Sequence, residues 1–329
     1  MDIDRLLSSL WFRMYGFTGK AKHWRNKQNL GLRQVSQKIE EDNEKVKSLL
    51  LSNEPFFIGR YGTIELHNFL KGFRLLTGDN NPIKTMKSIL FSQPECWSLG
   101  GGGNTGLQTN AGVFPHTDEC LMEFTKIYLD ASKKIDILAS WQNAEKWLYK
   151  YKILQTNNKI DYNILEFAYR LKDPWTSALK GKKVLVISPF AEEMVRQYKS
   201  KNRHLLFSNQ EFLPDFEISA ITSVNTAGRN SVSCGYKSWS EALSFMKAQI
   251  RKEDFDVALL GCGAYAFPLG AFIKDLGKQA ITVCGALQTY FGIYGGRTEH
   301  LPERNKYWIR PEMSTRPIGY ESIENSAYW

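Results

Sequence analysis

Two charged side chains next to glycines near residue 60 have the types and spacing needed for chemistry. Arg60 directly follows the apolar run Phe56–Gly59, and Glu65 comes three residues after Gly62. This pattern predicts a strand that ends at Arg60 and a helix whose first turn contains Glu65. In such positions a guanidinium can bind an anion and a carboxylate can act as a base. A salt bridge that only closes the turn is an equally physical alternative, and the sequence leaves both open.

A second glycine-rich stretch, Asp256–Arg297, has the pattern of a βαβ unit. Val257–Leu260 predicts a buried strand that ends at Gly261 and Gly263. A helix that starts near Pro268 and a second short strand follow. Because ligands of open α/β sheets bind beyond the carboxyl ends of the strands, we expect a binding site at these glycines.

The glycine pattern of this stretch does not favour an NAD site. Gly261 and Gly263 form a G-x-G, but Ala266 stands where the dinucleotide fingerprint has its third glycine. The second strand, which ends at Val283 and Cys284, also lacks a closing acidic residue. A tight turn without a ligand remains an alternative for these glycines.

Further candidates follow from the expectation that all strands point the same way. Lys182–Ile187 is the strongest predicted strand, and Ser188 and Phe190 come directly after it. In a parallel sheet these two residues lie on the same edge as Gly261, together with Tyr265 and Gln288. We therefore expect all of them to line one cleft.

The remaining periodicity indicates an α/β fold of the Rossmann-like type, a mainly parallel sheet with helices on both faces. Thr117 is the predicted N-cap of one helix, and Gly100–Gly106 is predicted to be a loop rather than an element. Further helices are predicted over 34–51, 164–171, 192–198 and 239–251, and further strands over 135–139, 217–223 and 280–284.

Composition and length are those of an ordinary globular chain. It has 329 residues, of which 43% are hydrophobic and 23% charged, with no apolar run long enough to span a bilayer and no signal-peptide pattern. A cytoplasmic location is expected. Five scattered cysteines without C-x-x-C spacing favour neither disulfides nor a zinc site. We expect no NAD, haem or zinc.

The net charge of +9 predicts an anionic partner. The basic residues are dispersed, so nucleic acid is not favoured. Residues 1–50 are treated as a separate helical, basic and amphipathic segment, ahead of a single domain over 51–329 whose irregular aromatic tail starts near 302. The basic segment could lie on the anionic inner face of a membrane, or pack on the protein's own core.

Several familiar catalytic classes lack their motifs in this sequence. There is no nucleophile elbow, no P-loop and no H-E-x-x-H, and the five histidines are isolated, although His67 stands two residues after Glu65. What remains is a site built from arginine, a few carboxylates and glycine-lined loops, which suits a phosphorylated donor such as a nucleotide sugar.

Four stretches occur in order within Phe56–Arg297: FFIGRYGTIEL, KKVLVISPFAEEMVRQY, DVALLGCGAYAFPL and CGALQTYFGIYGGR. Together they resemble the GT-D-type glycosyltransferases of bacterial polysaccharide and glycoprotein assembly. The resemblance implies a Rossmann-like transferase that uses a nucleotide-diphosphate sugar, with a D-x-E motif that binds a divalent ion such as Mn²⁺ or Mg²⁺.

The chain departs from this family at the first acid of D-x-E, where it has Thr63 followed by Ile64 and Glu65. A hydroxyl is a poorer ligand for a hard cation than a carboxylate. Glu65 could hold a metal with help from elsewhere, or act as a base without one, while Arg60 or Arg297 neutralises the pyrophosphate. Lost catalysis with retained binding is the third possibility.

The leading hypothesis is thus a glycosyltransferase that moves a sugar from a nucleotide-diphosphate donor to a growing cell-surface glycan or a lipid-linked acceptor. The alternative is a noncatalytic nucleotide-sugar-binding subunit of a glycan-assembly complex. Arg60 and Glu65 are the predicted catalytic residues, with Glu65 as the candidate metal ligand. The predicted donor-binding residues are Gly62, Thr63, Ser188, Phe190, Gly261, Gly263, Tyr265, Gln288 and Arg297.

Overall fold

The computed structural model describes most of the chain from residue 37 onward. The described residues are 37–78, 103–228, 231, 234–324 and 326–329. Residues 1–36 of the basic amphipathic segment predicted over 1–50, and residues 100–102 of the predicted 100–106 loop, lie outside them.

In this part of the chain seven strands form one sheet in which every neighbouring pair is parallel, in the order β3-β2-β1-β7-β6-β4-β5. The predicted Rossmann-like α/β class is therefore confirmed. Since all strands run the same way, their carboxyl ends share one edge, here called the rim. The strands are β1 Phe56–Gly59, β2 Ile137–Ser140, β3 Lys159–Asp161, β4 Lys183–Ser188, β5 Glu217–Thr222, β6 Val257–Leu260 and β7 Gln279–Thr282.

Both faces of the sheet are buried, which explains why its central strands are continuous apolar runs. In β4, Leu185 and Ile187 point into one core cluster, whereas Val184 and Val186 point into the other. This alternation is the period of two expected of a strand. Each face therefore needs its own layer of helices.

Ten helices cover the two faces in the described residues. Their bounds are α1 Gln37–Ser52, α2 Thr63–Thr77, α3 Gly103–Thr109, α4 Asp118–Ser132, α5 Lys146–Lys150, α6 Asn163–Glu166, α7 Ala191–Tyr198, α8 Trp239–Ile250, α9 Ala266–Asp275 and α10 Leu287–Tyr290. None of these helices is both long and apolar enough to cross a lipid bilayer.

Local sequence signals explain where several helices begin. The hydroxyl of Thr117 accepts a hydrogen bond from the Cys120 amide (3.2 Å) at the start of α4, which confirms the predicted N-cap. Ser238 caps α8 in the same way through the Glu241 amide, also at 3.2 Å. Such caps satisfy donors that would otherwise lack a partner at a helix start.

Three predictions about elements were wrong. Residues 103–106, predicted as loop, belong to helix α3. The helix predicted over 164–171 is only α6, after which the chain continues in a short 3-10 turn. Strand β3 was missed because Ile160 is its one apolar residue between Lys159 and Asp161, and an edge strand needs no apolar run.

After residue 302 the described chain forms turns and short 3-10 helices, in agreement with the irregular tail predicted from the sequence. It is held by aromatic side chains. Trp308 is 5% exposed, and its indole N–H donates to the Leu206 carbonyl oxygen at 2.9 Å. Trp329 is equally buried. The aromatic side chains of the tail therefore pack on the domain.

Helix α9 packs tightly on strand β1 at a glycine. A Cβ added to Gly270 would lie 2.2 Å from the ring of Phe57, which is fully buried and cannot move aside easily. We expect Gly270→Ala to lower the free energy of unfolding by about 1–3 kcal/mol, because overpacking strains a rigid core. The midpoint of denaturant unfolding measures this change.

Gly106 in helix α3 is a matched control. A Cβ there would meet only a methyl of Ile64 at 3.9 Å. Gly106→Ala should leave stability unchanged or raise it by up to about 1 kcal/mol, because alanine is the better helix former. Equal effects of the two substitutions would contradict the packing described for Gly270.

Candidate functional site

The guanidinium of Arg60 is held between two aromatic rings at the rim. It lies 4.3 Å from the ring centroid of Trp141 and 4.5 Å from that of Tyr162. Trp141 follows β2 and Tyr162 follows β3, so the two rings come from loops beside β1. The backbone amide of Arg60 donates to the Thr282 hydroxyl at the end of β7 (2.6 Å). Four adjacent strands thus fix this one side chain.

The two rings are fixed in turn by hydrogen bonds to the backbone. The indole N–H of Trp141 donates to the Tyr61 carbonyl oxygen (2.9 Å), and the hydroxyl of Tyr162 donates to the Val283 carbonyl oxygen (3.2 Å). The buried carboxylate of Glu145 accepts the Trp141 amide at 3.1 Å. The clamp formed by Trp141 and Tyr162 is therefore rigid before any ligand arrives.

The environment of Arg60 keeps its guanidinium charged and leaves its Nε–H without an acceptor. Burial by itself lowers the pKa of Arg60, but Cys284, Tyr162 and Glu65 together hold it above its ordinary value. The Nε atom of Arg60 is buried and has no hydrogen-bond partner among the described residues. A buried donor without a partner is costly, so an acceptor from a ligand would stabilise it.

The carboxylate of Glu65 folds back over the start of its own helix and interacts electrostatically with Arg60. A Cβ added to Gly62 would come within 1.9 Å of Glu65 Oε2, so the carboxylate occupies the space that a side chain at residue 62 would need. Burial raises the pKa of Glu65; its own backbone N–H and Arg60 lower it, and Glu324 raises it again. The net result is a carboxyl with a pKa above its ordinary value, which suits a general base.

Cys284 adds a sulfur atom to the same place, although the sequence indicated only a reduced structural cysteine. Its backbone is left-handed (φ +59°), which is uncommon for a residue other than glycine. Burial raises the pKa of its thiol, and the nearby Arg60 guanidinium offsets part of that rise. A position directly after β7 was the signal that could have identified it.

Arg297 lies at the other side of the cluster, where the end of the described chain contacts it. It forms an ion pair with Glu324, and its guanidinium is 5.1 Å from the ring centroid of Tyr328. The Tyr328 hydroxyl donates to Glu324 at 3.3 Å. Sequence reasoning predicted Arg297 but missed Glu324, because nothing local connects a residue near the end of the tail with the rim.

Five of the predicted site residues meet in this cluster or border it. Arg60, Glu65 and Gly62 lie together, and Gly261 is adjacent, because a Cβ there would lie 2.7 Å from the Cys284 carbonyl oxygen. Arg297 joins them through its electrostatic interaction with Tyr162.

Thr63 and Gly263 are exposed at the rim, next to the cluster's strands. The Thr63 carbonyl oxygen accepts from His67 Nδ1 (2.5 Å), and burial lowers the pKa of His67 to about 4. The imidazole is therefore neutral near pH 7. Gly263 has φ +57°, a conformation that favours glycine.

Four predicted donor-lining side chains lie at or after the ends of strands but are buried. Ser188, Phe190, Tyr265 and Gln288 are each less than 5% exposed. Tyr265 is hydrogen-bonded to Thr226 (2.8 Å). Contact with a ligand would require neighbouring groups to move, and their donor-binding role stays a prediction.

Two cavities in the structure are lined by residues other than the predicted site residues. The larger, of about 480 Å³, is lined by residues that include Arg170, Lys172 and Glu303, and the smaller, of about 10 Å³, lies beside His116. None of the predicted site residues borders either cavity.

The described residues do not fit a divalent metal site. No group of three or more His, Cys, Asp and Glu side chains is arranged there to hold an ion. Within the T-I-E triplet, Glu65 is the one carboxylate, and Thr63 offers a weaker ligand. The metal role of Glu65 stays a prediction.

The raised pKa of Glu65 predicts a pH dependence of stability. Because its pKa in the folded state lies above the ordinary value of 4.5, the folded chain keeps this proton to higher pH than the unfolded chain. Ionising Glu65 therefore costs the folded state stability as the pH rises above 4.5. Glu65→Gln removes this cost, so the variant should gain stability relative to wild type between pH 4 and 8.

Urea unfolding of both proteins at several pH values measures the difference. A difference that stays constant with pH, or that favours wild type increasingly as the pH rises, would contradict the described environment of Glu65.

Comparison with known proteins adds no family assignment. No protein-family model, no curated protein and no solved structure matches this chain. Any functional proposal therefore depends on the fold, on the geometry of the Arg60 cluster and on the sequence resemblance described above.

Proposed function

We propose that this chain is a glycosyltransferase that takes a sugar from a nucleotide-diphosphate donor. The observation that carries the proposal is the rigid Arg60 clamp beside Glu65 at the rim of a parallel sheet. It provides a fixed cation and a base within one site, where open α/β sheets bind their ligands. The resemblance to GT-D-type transferases supplies the reaction class.

Arg60 and Arg297 would neutralise the leaving diphosphate. Guanidinium groups suit phosphate oxygens because they present several donors in a plane. The free Nε of Arg60 offers one such donor already desolvated, and Trp141 and Tyr162 keep it in place. Preorganised donors of this kind stabilise developing charge without paying for reorganisation during the reaction.

Glu65 would act as the base. As the acceptor oxygen forms its bond to the anomeric carbon, the acceptor hydroxyl transfers its proton to Glu65. The bond between the anomeric carbon and the phosphate oxygen breaks, and its electron pair leaves with the diphosphate. A pKa above that of an ordinary carboxyl makes Glu65 a stronger proton acceptor.

The acceptor is proposed to be a growing cell-surface glycan or a lipid-linked sugar at the cytoplasmic face of the membrane. This part of the proposal rests on the resemblance. The basic composition of the chain, with a net charge of +9, suits an anionic membrane surface as well as a phosphorylated donor.

The test is a panel of nucleotide-diphosphate sugars assayed for transfer to glycan acceptors and for slow donor hydrolysis, with and without Mn²⁺. We expect one donor to be consumed, and Glu65→Gln to lower kcat by about 100-fold or more, as for loss of a general base. Circular dichroism checks that the variant is folded. An unchanged rate in Glu65→Gln would remove Glu65 from the mechanism.

Gly62→Ala tests the position of Glu65 without removing it. The added methyl needs the space of the carboxylate, which sits at the end of a flexible side chain and can move away. Stability should fall by no more than about 1 kcal/mol, as for an N-cap change. Transfer should nevertheless fall at least about tenfold, because a displaced base loses its alignment. Full activity in Gly62→Ala would show that this placement is unimportant.

A noncatalytic nucleotide-sugar-binding subunit is the second candidate. Thr63 in place of an acid and the absence of a metal-holding group in the described ranges favour it. A pure binder would retain donor affinity but release no sugar from any donor in the panel.

A further inference from the structure

The last described residues of the tail cover the rim and lie against glycines. A Cβ added to Gly285 would be 2.7 Å from the Tyr328 ring, and one added to Gly295 would be 2.3 Å from the Tyr328 carbonyl carbon. The ring of Trp329 packs on Phe190, with centroids 5.5 Å apart. The described residues 323, 324 and 326–329, here called the cover segment, thus pack where Gly285 and Gly295 have no side chains that would clash with them.

The cover segment adopts an uncommon backbone to reach this place. Glu324 has φ +47° and Ser326 has φ +59°, both in the left-handed region that favours glycine. Such backbone persists only where surrounding contacts compensate for it. Here the Glu324 amide donates to Asn110 Oδ1 (3.3 Å), and the Arg297 amide donates to the Ala327 carbonyl oxygen (3.0 Å).

The strained turn brings one carboxylate to the arginines of the site. Glu324 pairs with Arg297 and accepts the hydroxyl of Tyr328. Its side chain is 31% exposed, and that of Arg297 is 40% exposed, so solvent ions can reach the pair. Glu324 also lies near enough to Glu65 to disfavour its ionisation. The carboxylates of Glu324 and Glu65 repel each other, so attraction to Arg60 and Arg297 must offset that repulsion.

We propose that Glu324 is a built-in competitor, whose carboxylate holds the position on Arg297 that a phosphate oxygen of the ligand takes. Binding of a diphosphate then displaces Glu324 and lifts the cover segment from the rim. The choice of a diphosphate as the natural anion rests on the proposed function; the competition itself does not require sugar transfer.

The cover segment also accounts for the burial of two predicted donor-lining residues. Phe190 is covered by Trp329, and Gln288 donates to the Tyr328 carbonyl oxygen through Nε2 (3.4 Å). The Oε1 atom of Gln288 is buried without a hydrogen-bond partner in the described structure. When the segment leaves, both side chains become accessible from the rim.

The experiment measures the affinity of inorganic pyrophosphate by calorimetry for wild type, Glu324→Gln and Glu321→Gln. Glu321 is an exposed acid three residues earlier in the chain and controls for net charge. Glu324→Gln should bind pyrophosphate about two- to fivefold more tightly than wild type, as expected for removal of a partly exposed ion pair. Glu321→Gln should match wild type.

Hydrogen exchange of the wild-type protein provides the second measurement. Pyrophosphate should speed the exchange of the cover-segment amides and of the Arg297 amide, which donates to this segment. Equal or weaker pyrophosphate binding by Glu324→Gln, or no binding by either protein, would overturn the inference. So would slower exchange in the cover segment on addition of pyrophosphate. Tighter binding in Glu324→Gln without sugar transfer by wild type would reject only the proposed function.

Discussion

The stacking of Arg60 between Trp141 and Tyr162 is the interaction on which the account of this protein depends. A guanidinium enclosed by two rings keeps its charge while losing most of its water, and cation–π attraction offsets part of that cost. The remaining cost is the unpartnered Nε, which can be recovered when a ligand supplies an acceptor. Such a site can bind an oxyanion without first having to rearrange.

The sheet makes this arrangement possible because it is parallel throughout. β1, β2, β3 and β7 are neighbours. The residues that end or follow these strands provide the guanidinium, both rings, the Thr282 hydroxyl and Cys284. The tail covers the same edge and adds the negative charge of Glu324, so the ligand-free site has two arginines and two carboxyl groups. Arg60 and Arg297 lie beside Glu65 and Glu324. A diphosphate that binds would replace the Glu324 carboxylate as a negatively charged partner of the arginines.

The sequence predicted those parts of the structure that depend on local patterns. The βαβ stretch was predicted from Val257–Leu260, whose apolar run is strand β6 with the same bounds. Arg60 and Glu65 could be expected to lie together because one strand-turn-helix unit contains both. The Trp141–Tyr162 clamp could not be predicted, because the rings meet only through the order of the strands, which long-range packing decides. Strand β3 was missed for the related reason that an edge strand carries no apolar run.

The most direct test compares the affinity of UDP for wild type and Arg60→Lys. Lysine keeps the charge but cannot stack as a plane or offer an Nε–H, so the account predicts binding weaker by about tenfold or more. Arg304→Lys is the control, since Arg304 stacks on Tyr294 at 4.9 Å on an exposed surface and should not affect binding. If Arg60→Lys binds UDP within twofold of wild type, the Arg60 clamp is not the anion site and the account is contradicted.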